Sequence, residues 1–167
     1  MYKRQLLGIG WIGGLGSFAA LMLRGPDGIG FLLAAVVATV AYDVGAFAVG
    51  RSAGTRPLSE ASPNKTIEGL VGGVIGALVV TVILFGGVGI APFDSFGDAF
   101  LIGLAAAIAA PIGDLCESLL KRDLGVKDMA ATLPGHGGFL DRFDAMLFVL
   151  PFVFYAAVFF ELGPFGG

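Results

Sequence analysis

Five apolar runs occupy most of this chain: roughly Leu6–Leu23, Ile29–Gly50, Ile67–Ala91, Ala99–Leu120 and Ala145–Leu162. Each is close to the ~20 residues that an α-helix needs to cross a bilayer. They predict an all-α, polytopic membrane protein with about five transmembrane helices, read as one membrane-embedded domain over residues 1–167. Composition agrees. The chain is 56% hydrophobic and only 14% charged, with a mean hydropathy of +0.90, whereas soluble domains run at about a quarter charged. The net charge of -3 says little, because in such a protein the position of each charge matters more than the sum.

The first run follows Lys3 and Arg4, and no small-residue cleavage site leads from it into a soluble domain, so it reads as a membrane helix. Lys3, Arg4, Arg51, Arg56, Lys65, Lys121, Arg122, Lys127 and Arg142 fall on one side of the predicted spans, and Arg24 alone on the other. The positive-inside rule then puts the N-terminus and the two polar loops in the cytoplasm and the C-terminus outside. The opposite loop, Pro92 to Asp98, is acidic and lacks Lys and Arg. Cys116, the single cysteine, cannot form an internal disulfide and reads as a small packing residue on its helix.

Polar residues cluster in three places. Asp43 lies within the second run. A carboxylate there is costly and points either to a functional role or to a side chain reaching the interface. In the loop from Arg51 to Thr66, Ser62-Pro63 opens a turn, and Lys65 and Thr66 lie where the third helix begins. A helix N-terminus favours an anion; a basic loop resting on anionic headgroups is the alternative. The fourth run ends in a stripe, Asp114, Glu117, Ser118 and Lys121, whose spacing puts all four on one helical face. Pro111 and Gly113 precede it and can loosen the helix where it turns polar.

The densest stretch is Ser118 to Asp144, which carries four of the ten Lys/Arg residues, four aspartates and the only histidine. Cations, glycine-freed amides at Pro134-Gly135-His136-Gly137-Gly138 and closely spaced carboxylates are what a polyphosphate and its metal ion require. Asp141 and Asp144 can share a face as the fifth run begins. Two acidic stripes joined by a glycine-rich loop suit a divalent cation with oxygen ligands. Ion pairing with Lys121, Arg122 and Arg142 is the competing reading.

Ser118-Leu119-Leu120-Lys121-Arg122, then Lys127-Asp128, then Leu133-Pro134-Gly135-His136-Gly137-Gly138-Phe139-Leu140-Asp141-Arg142-Phe143-Asp144 resembles, without a departure, the signature of the CDP-diacylglycerol synthases (phosphatidate cytidylyltransferases). Upstream, Asp43-Val44-Gly45-Ala46-Phe47, Gly50-Arg51, Gly54, Leu58, Ser62-Pro63, Lys65-Thr66 and Glu68-Gly69 resemble a second block of that family. Bacterial members are longer and carry additional N-terminal membrane helices, so the resemblance implies correspondence to their C-terminal portion.

The resemblance implies the reaction of CTP with phosphatidate to give CDP-diacylglycerol and pyrophosphate at the cytoplasmic face of the inner membrane. It implies Mg²⁺, with room for a second cation. Asp114 and Asp141 are the leading metal ligands, with Glu117 and Asp144 as further ones. Lys65, Lys121, Arg122, Lys127 and Arg142 are the expected phosphate contacts. Asp43, Ser62, Thr66, Ser118, Asp128, Gly137 and Gly138 complete the expected substrate site. His136 is either a general acid for pyrophosphate or a structural donor. Expected partners are CTP, phosphatidate and the bilayer, with a homodimer allowed and no nucleic acid. An enzyme acting on another lipid phosphate, such as an archaeal-type ether lipid, would use the same chemistry. A channel or transporter would thread polar residues through several spans, whereas these gather at the cytoplasmic ends. A non-catalytic scaffold would leave the charged signature without a purpose.

Overall fold

The computed structural model describes residues 9–25, 27–59, 62–90, 93, 95–123 and 144–160. Five helices follow one another: α1 (Ile9–Met22), α2 (Gly28–Ala53), α3 (Ile67–Gly87), α4 (Phe96–Asp123) and α5 (Asp144–Phe159). α2, α3 and α4 are long and apolar enough to cross a membrane, while α1 and α5 are shorter apolar helices. The chain is thus an all-α, multi-pass membrane protein. α4 runs on through Pro111, and α5 through Pro151. α3 widens near its end, where the Val88 amide bonds back to the Ile83 carbonyl across five residues.

The packing follows the rule for helices in lipid, small residues inward and large apolar ones outward. On α3, Gly69, Gly73, Ala77 and Thr81 are buried at four-residue spacing, while Ile67, Val71, Ile75, Val79 and Ile83 are exposed at the same spacing. α2 and α3 approach closely through glycine. A Cβ on Gly45 would come within 2.6 Å of the Gly72 carbonyl oxygen, and one on Gly76 within 2.8 Å of that of Ala41. α4 offers Ala99, Ile102, Ala106, Ala107, Ala109 and Ala110 to the core, and α5 offers Val149, Leu150 and Val153. α1 docks on α5 through aromatic edges: Trp11 on Phe148 at 4.9 Å and Phe18 on Phe154 at 5.5 Å. Phe148 and Phe154 of α5 therefore pack against protein, and Tyr155 also meets Phe18 at 5.5 Å although it, like Phe159, is exposed.

The two ends of the bundle differ. At one, Phe31, Phe85 and Phe93 meet edge to face. At the other lie the end of α2, the start of α3, the end of α4 and a short antiparallel hairpin. Its strands are β1 (Pro57–Ser59) and β2 (Ser62–Thr66), paired Pro57 to Thr66 and Ser59 to Ser62. The sequence suggests only a turn there. Local propensity is weak in this stretch, and the strands are held from outside it, as the site shows.

Candidate active site

The hairpin is fastened at its base. The Glu68 carboxylate, in the first turn of α3, accepts bonds from the Thr55 amide (3.2 Å), the Thr55 hydroxyl (3.1 Å), the Arg56 amide (3.3 Å) and Arg56 Nε (2.9 Å). The Ile67 amide donates to the Arg56 carbonyl at 3.0 Å. Thr66 caps α3, its hydroxyl accepting from the Gly69 amide at 3.0 Å. The chain is thereby held on both sides of Lys65.

Lys65 reaches across to α4, where its Nζ lies 2.8 Å from Asp114 Oδ2. One turn further along α4, Glu117 is buried and pairs with Lys121 Nζ at 2.8 Å. The Ser118 hydroxyl donates to the Asp114 carbonyl at 2.8 Å, which leaves its oxygen lone pairs as acceptors. These side chains line a cleft of about 600 Å³. Its walls are Tyr42, Asp43, Ala46, Phe47, Gly50 and Arg51 from α2, Leu58, Lys65 and Thr66 from the hairpin, Gly69 and Leu70 from α3, and Asp114, Glu117, Ser118 and Lys121 from α4.

The structure thus brings Asp43, Lys65, Thr66, Asp114, Glu117, Ser118 and Lys121 to one cleft. Arg122 lies on the exposed side of the last turn of α4 and is not among the described cleft residues. Ser62 is described only as part of β2, and Asp144 only as the first residue of α5. Lys127, Asp128, His136, Gly137, Gly138, Asp141 and Arg142 lie outside the described residues.

Of the expected ion pairs with Lys121, Arg122 and Arg142, the described residues show that of Lys121 with Glu117, while Asp114 is engaged by Lys65, a partner that reading did not name. Among the described residues no three His, Cys, Asp or Glu side chains are close enough together to hold a metal ion. The donors nonetheless suit Mg²⁺, which is held through one or two carboxylates while substrate phosphates and water complete its shell. Asp114 and Glu117 can supply such oxygens to the cleft.

Sequence reasoning missed Tyr42, Phe47 and Arg51 as cleft residues and Glu68 as the hairpin's anchor. The last three stand inside the upstream block, which was a signal for them. Tyr42 carried none beyond its place beside Asp43.

Comparison with known proteins covers both blocks. The sequence profile of the Cytidylyltransferase family matches residues 4–160. A phosphatidate cytidylyltransferase of Bacillus subtilis is 45% identical over 135 residues, covering 80% of this chain and 49% of the relative. Its counterpart in Synechocystis sp. is 42% identical over 134 residues, covering 80% and 45%. That of Mycobacterium leprae is 39% identical over 141 residues, covering 82% and 43%. The chain spans about half the length of the curated relatives it matches. With the profile covering nearly all of it, the chain belongs to the cytidylyltransferase family.

Proposed function

We propose that the chain carries the nucleotide-transfer site of a phosphatidate cytidylyltransferase, which moves a cytidylyl group from CTP to phosphatidate and releases pyrophosphate. The observation that carries this reading is the 2.8 Å Lys65–Asp114 contact. It joins the upstream block, through Lys65, to the polar stripe of α4 that leads into the signature, at a cleft where helices long enough to span a membrane turn polar. The named relatives bear the same activity in their names.

In the reaction a phosphate oxygen of the lipid attacks the α-phosphorus of CTP. One P–O bond forms, the bond to the β-phosphate bridging oxygen breaks, and pyrophosphate leaves with the electron pair. The substrate supplies its own nucleophile, so the protein's task is to bring two polyanions together and offset their charge. Lys65 and Lys121 are placed to turn from their carboxylates toward phosphate oxygens as the nucleotide enters. Asp114 and Glu117 would hold Mg²⁺, together with Asp144 at the start of α5 and Asp141, which lies outside the described residues. The ion would supply Lewis-acid neutralisation of the phosphate charge. The Ser118 lone pairs offer a further contact to a donor on the nucleotide or its water.

The cleft faces the cytoplasm of the inner membrane, where CTP is available, in accord with the distribution of Lys and Arg. Single cysteines at Ser59 and Ala131, in a Cys116→Ala background, are expected to resist membrane-impermeant thiol reagents applied outside intact cells. Rapid labelling of either would reverse the orientation. The direct test of function incubates purified protein with labelled CTP, phosphatidate and Mg²⁺ and looks for a lipid-soluble CDP product. Its absence, with the protein folded and membrane-inserted, would count against transfer by this chain alone.

A further inference from the structure

The outer face of α2 carries a pattern that the nucleotide site does not use. Ile29, Leu33, Val40, Val44 and Phe47 are large, apolar and exposed, and Arg51, also exposed, ends the row. Their spacing places all six on one side of the helix. Phe47 and Arg51 also line the cleft, so the stripe runs directly into it.

Arg51 differs from the other two cations of the cleft. Lys65 and Lys121 each hold a carboxylate, whereas Arg51 makes no ion pair among the described residues. Its guanidinium carbon instead lies 5.9 Å from the centre of the Phe47 ring, an arrangement that steadies the side chain without neutralising it. A planar guanidinium is suited to a phosphate monoester, which it can grip through two parallel hydrogen bonds. The whole row from Ile29 to Arg51 rises roughly 33 Å, about the full ~30 Å hydrocarbon core, and its half nearest the cleft, Val40 to Arg51, roughly 16 Å, about one leaflet. A lipid phosphomonoester has the same layout over the same length, with acyl chains through one leaflet and a dianionic head at its boundary.

We propose that Arg51, carried over the Phe47 ring, binds the phosphate of the membrane-borne acceptor, a lipid phosphomonoester whose chains lie along the α2 stripe. The assignment rests on the lipid-acceptor half of the function proposed above. It divides the cleft between substrates, with the acceptor on the α2 rim and the nucleotide phosphates toward Lys65 and Lys121.

The test uses the whole chain in phosphatidylcholine nanodiscs doped with labelled phosphatidate, measuring phosphatidate retention and, on the same samples, CTP binding. Wild type is expected to retain phosphatidate in preference to phosphatidylcholine. Arg51→Gln should lose about tenfold or more in phosphatidate affinity, the weight of a charge-assisted contact. Arg51→Lys, which keeps the charge without the fork, should lose less and guards against a folding defect in the first variant. Inorganic phosphate, which has no chains, should fail to displace the lipid, and CTP binding should fall far less than phosphatidate retention in either variant. Equal phosphatidate retention by wild type and Arg51→Gln would overturn the assignment, leaving Arg51 as an ordinary basic residue at a helix end. Displacement by inorganic phosphate, or a parallel fall in CTP binding, would overturn it too. Arg51-dependent retention of phosphatidate by a wild type that takes up no CTP would uphold the assignment and sink the nucleotide half of the proposed function.

Discussion

Two lysine–carboxylate pairs lie in one cleft at the same 2.8 Å separation, yet they are built differently. Glu117 and Lys121 are one turn apart on α4, so the helix alone brings them together. Lys65 and Asp114 come from a hairpin and a distant helix, and they meet only once α2, α3 and α4 have assembled. The local pair is also the more buried, with side chains 17% and 7% exposed against 36% and 17%. The local, buried pair is the harder of the two to open. An assembled, half-open pair can be opened by a ligand.

The comparison breaks most sharply at Asp114. Asn keeps its shape and removes its charge, so Lys65 is left without its carboxylate and the cleft without an oxyanion for a metal ion. Removing one strong electrostatic contact from a transition state costs ~3–4 kcal/mol, or about two to three decades in rate. Asp114→Asn is expected to lose that much turnover in the labelled-CTP assay while remaining folded and membrane-inserted. Near-normal turnover at low Mg²⁺ would remove Asp114 from the ligands and leave Glu117 and Asp144 to take its place.

The difference between the pairs also marks what the sequence could reveal. The helix stripe Asp114, Glu117, Ser118 and Lys121 was legible, because 3.6-residue periodicity is a local property. The spans were legible for the same reason, since hydropathy is summed along the chain. Helix ends shifted by a few residues: α2 runs past Gly50 to Ala53, with Arg51 in its last turn, where a cation complements the helix dipole. The partner of Lys65 was not legible, because that pairing joins segments far apart in the chain and depends on how α4 packs against α3. The hairpin lacks strand alternation and takes its order from Glu68, outside both strands. Thr66, expected near an anion, lines the cleft, and its hydroxyl caps its own helix. Arg51 counted toward orientation and as part of the upstream block but not as a cleft residue, since its place in the cleft depends on which face of α2 meets α3.

The second prediction concerns the local pair and is read as stability. Lys121→Met leaves the buried Glu117 without the lysine, and breaking a buried pair from one side is strongly destabilising. Because Lys121 keeps some solvent contact, the expected loss is ~2–3 kcal/mol, at the low end of the range for such pairs. Removing both charges, in Lys121→Met with Glu117→Leu, should restore most of it. Unfolding in mild detergent by titration with a denaturing one would read both variants. A single mutant as stable as wild type would show that the pair does not hold the wall.

The smallest effect falls on Glu68, which touches neither the cleft's metal-ligand candidates nor the nucleotide and acts only by holding the hairpin that carries Lys65. Glu68→Gln keeps the side chain's size, but its amide nitrogen cannot accept. The two bonds that meet on one carboxylate oxygen are therefore lost, either those from the Thr55 and Arg56 amides or those from the Thr55 hydroxyl and Arg56 Nε. Arg56 is largely exposed, so the stability cost should be small. Turnover should fall only a few-fold, as the base of the hairpin loosens and Lys65 spends less time over the cleft. A purely structural role would produce a similar small loss, so the decisive readout is coupling. In double-mutant cycles on kcat/KM for CTP, Glu68→Gln should be non-additive with Lys65→Met, because once the lysine is gone its placement no longer matters. With Lys121→Met it should be additive, since α4 places that lysine without help from the hairpin. Additivity with both would mean that Glu68 does not position Lys65. Coupling to Lys121 instead would mean that the two pairs are not independent and that the division between local and assembled contacts does not hold.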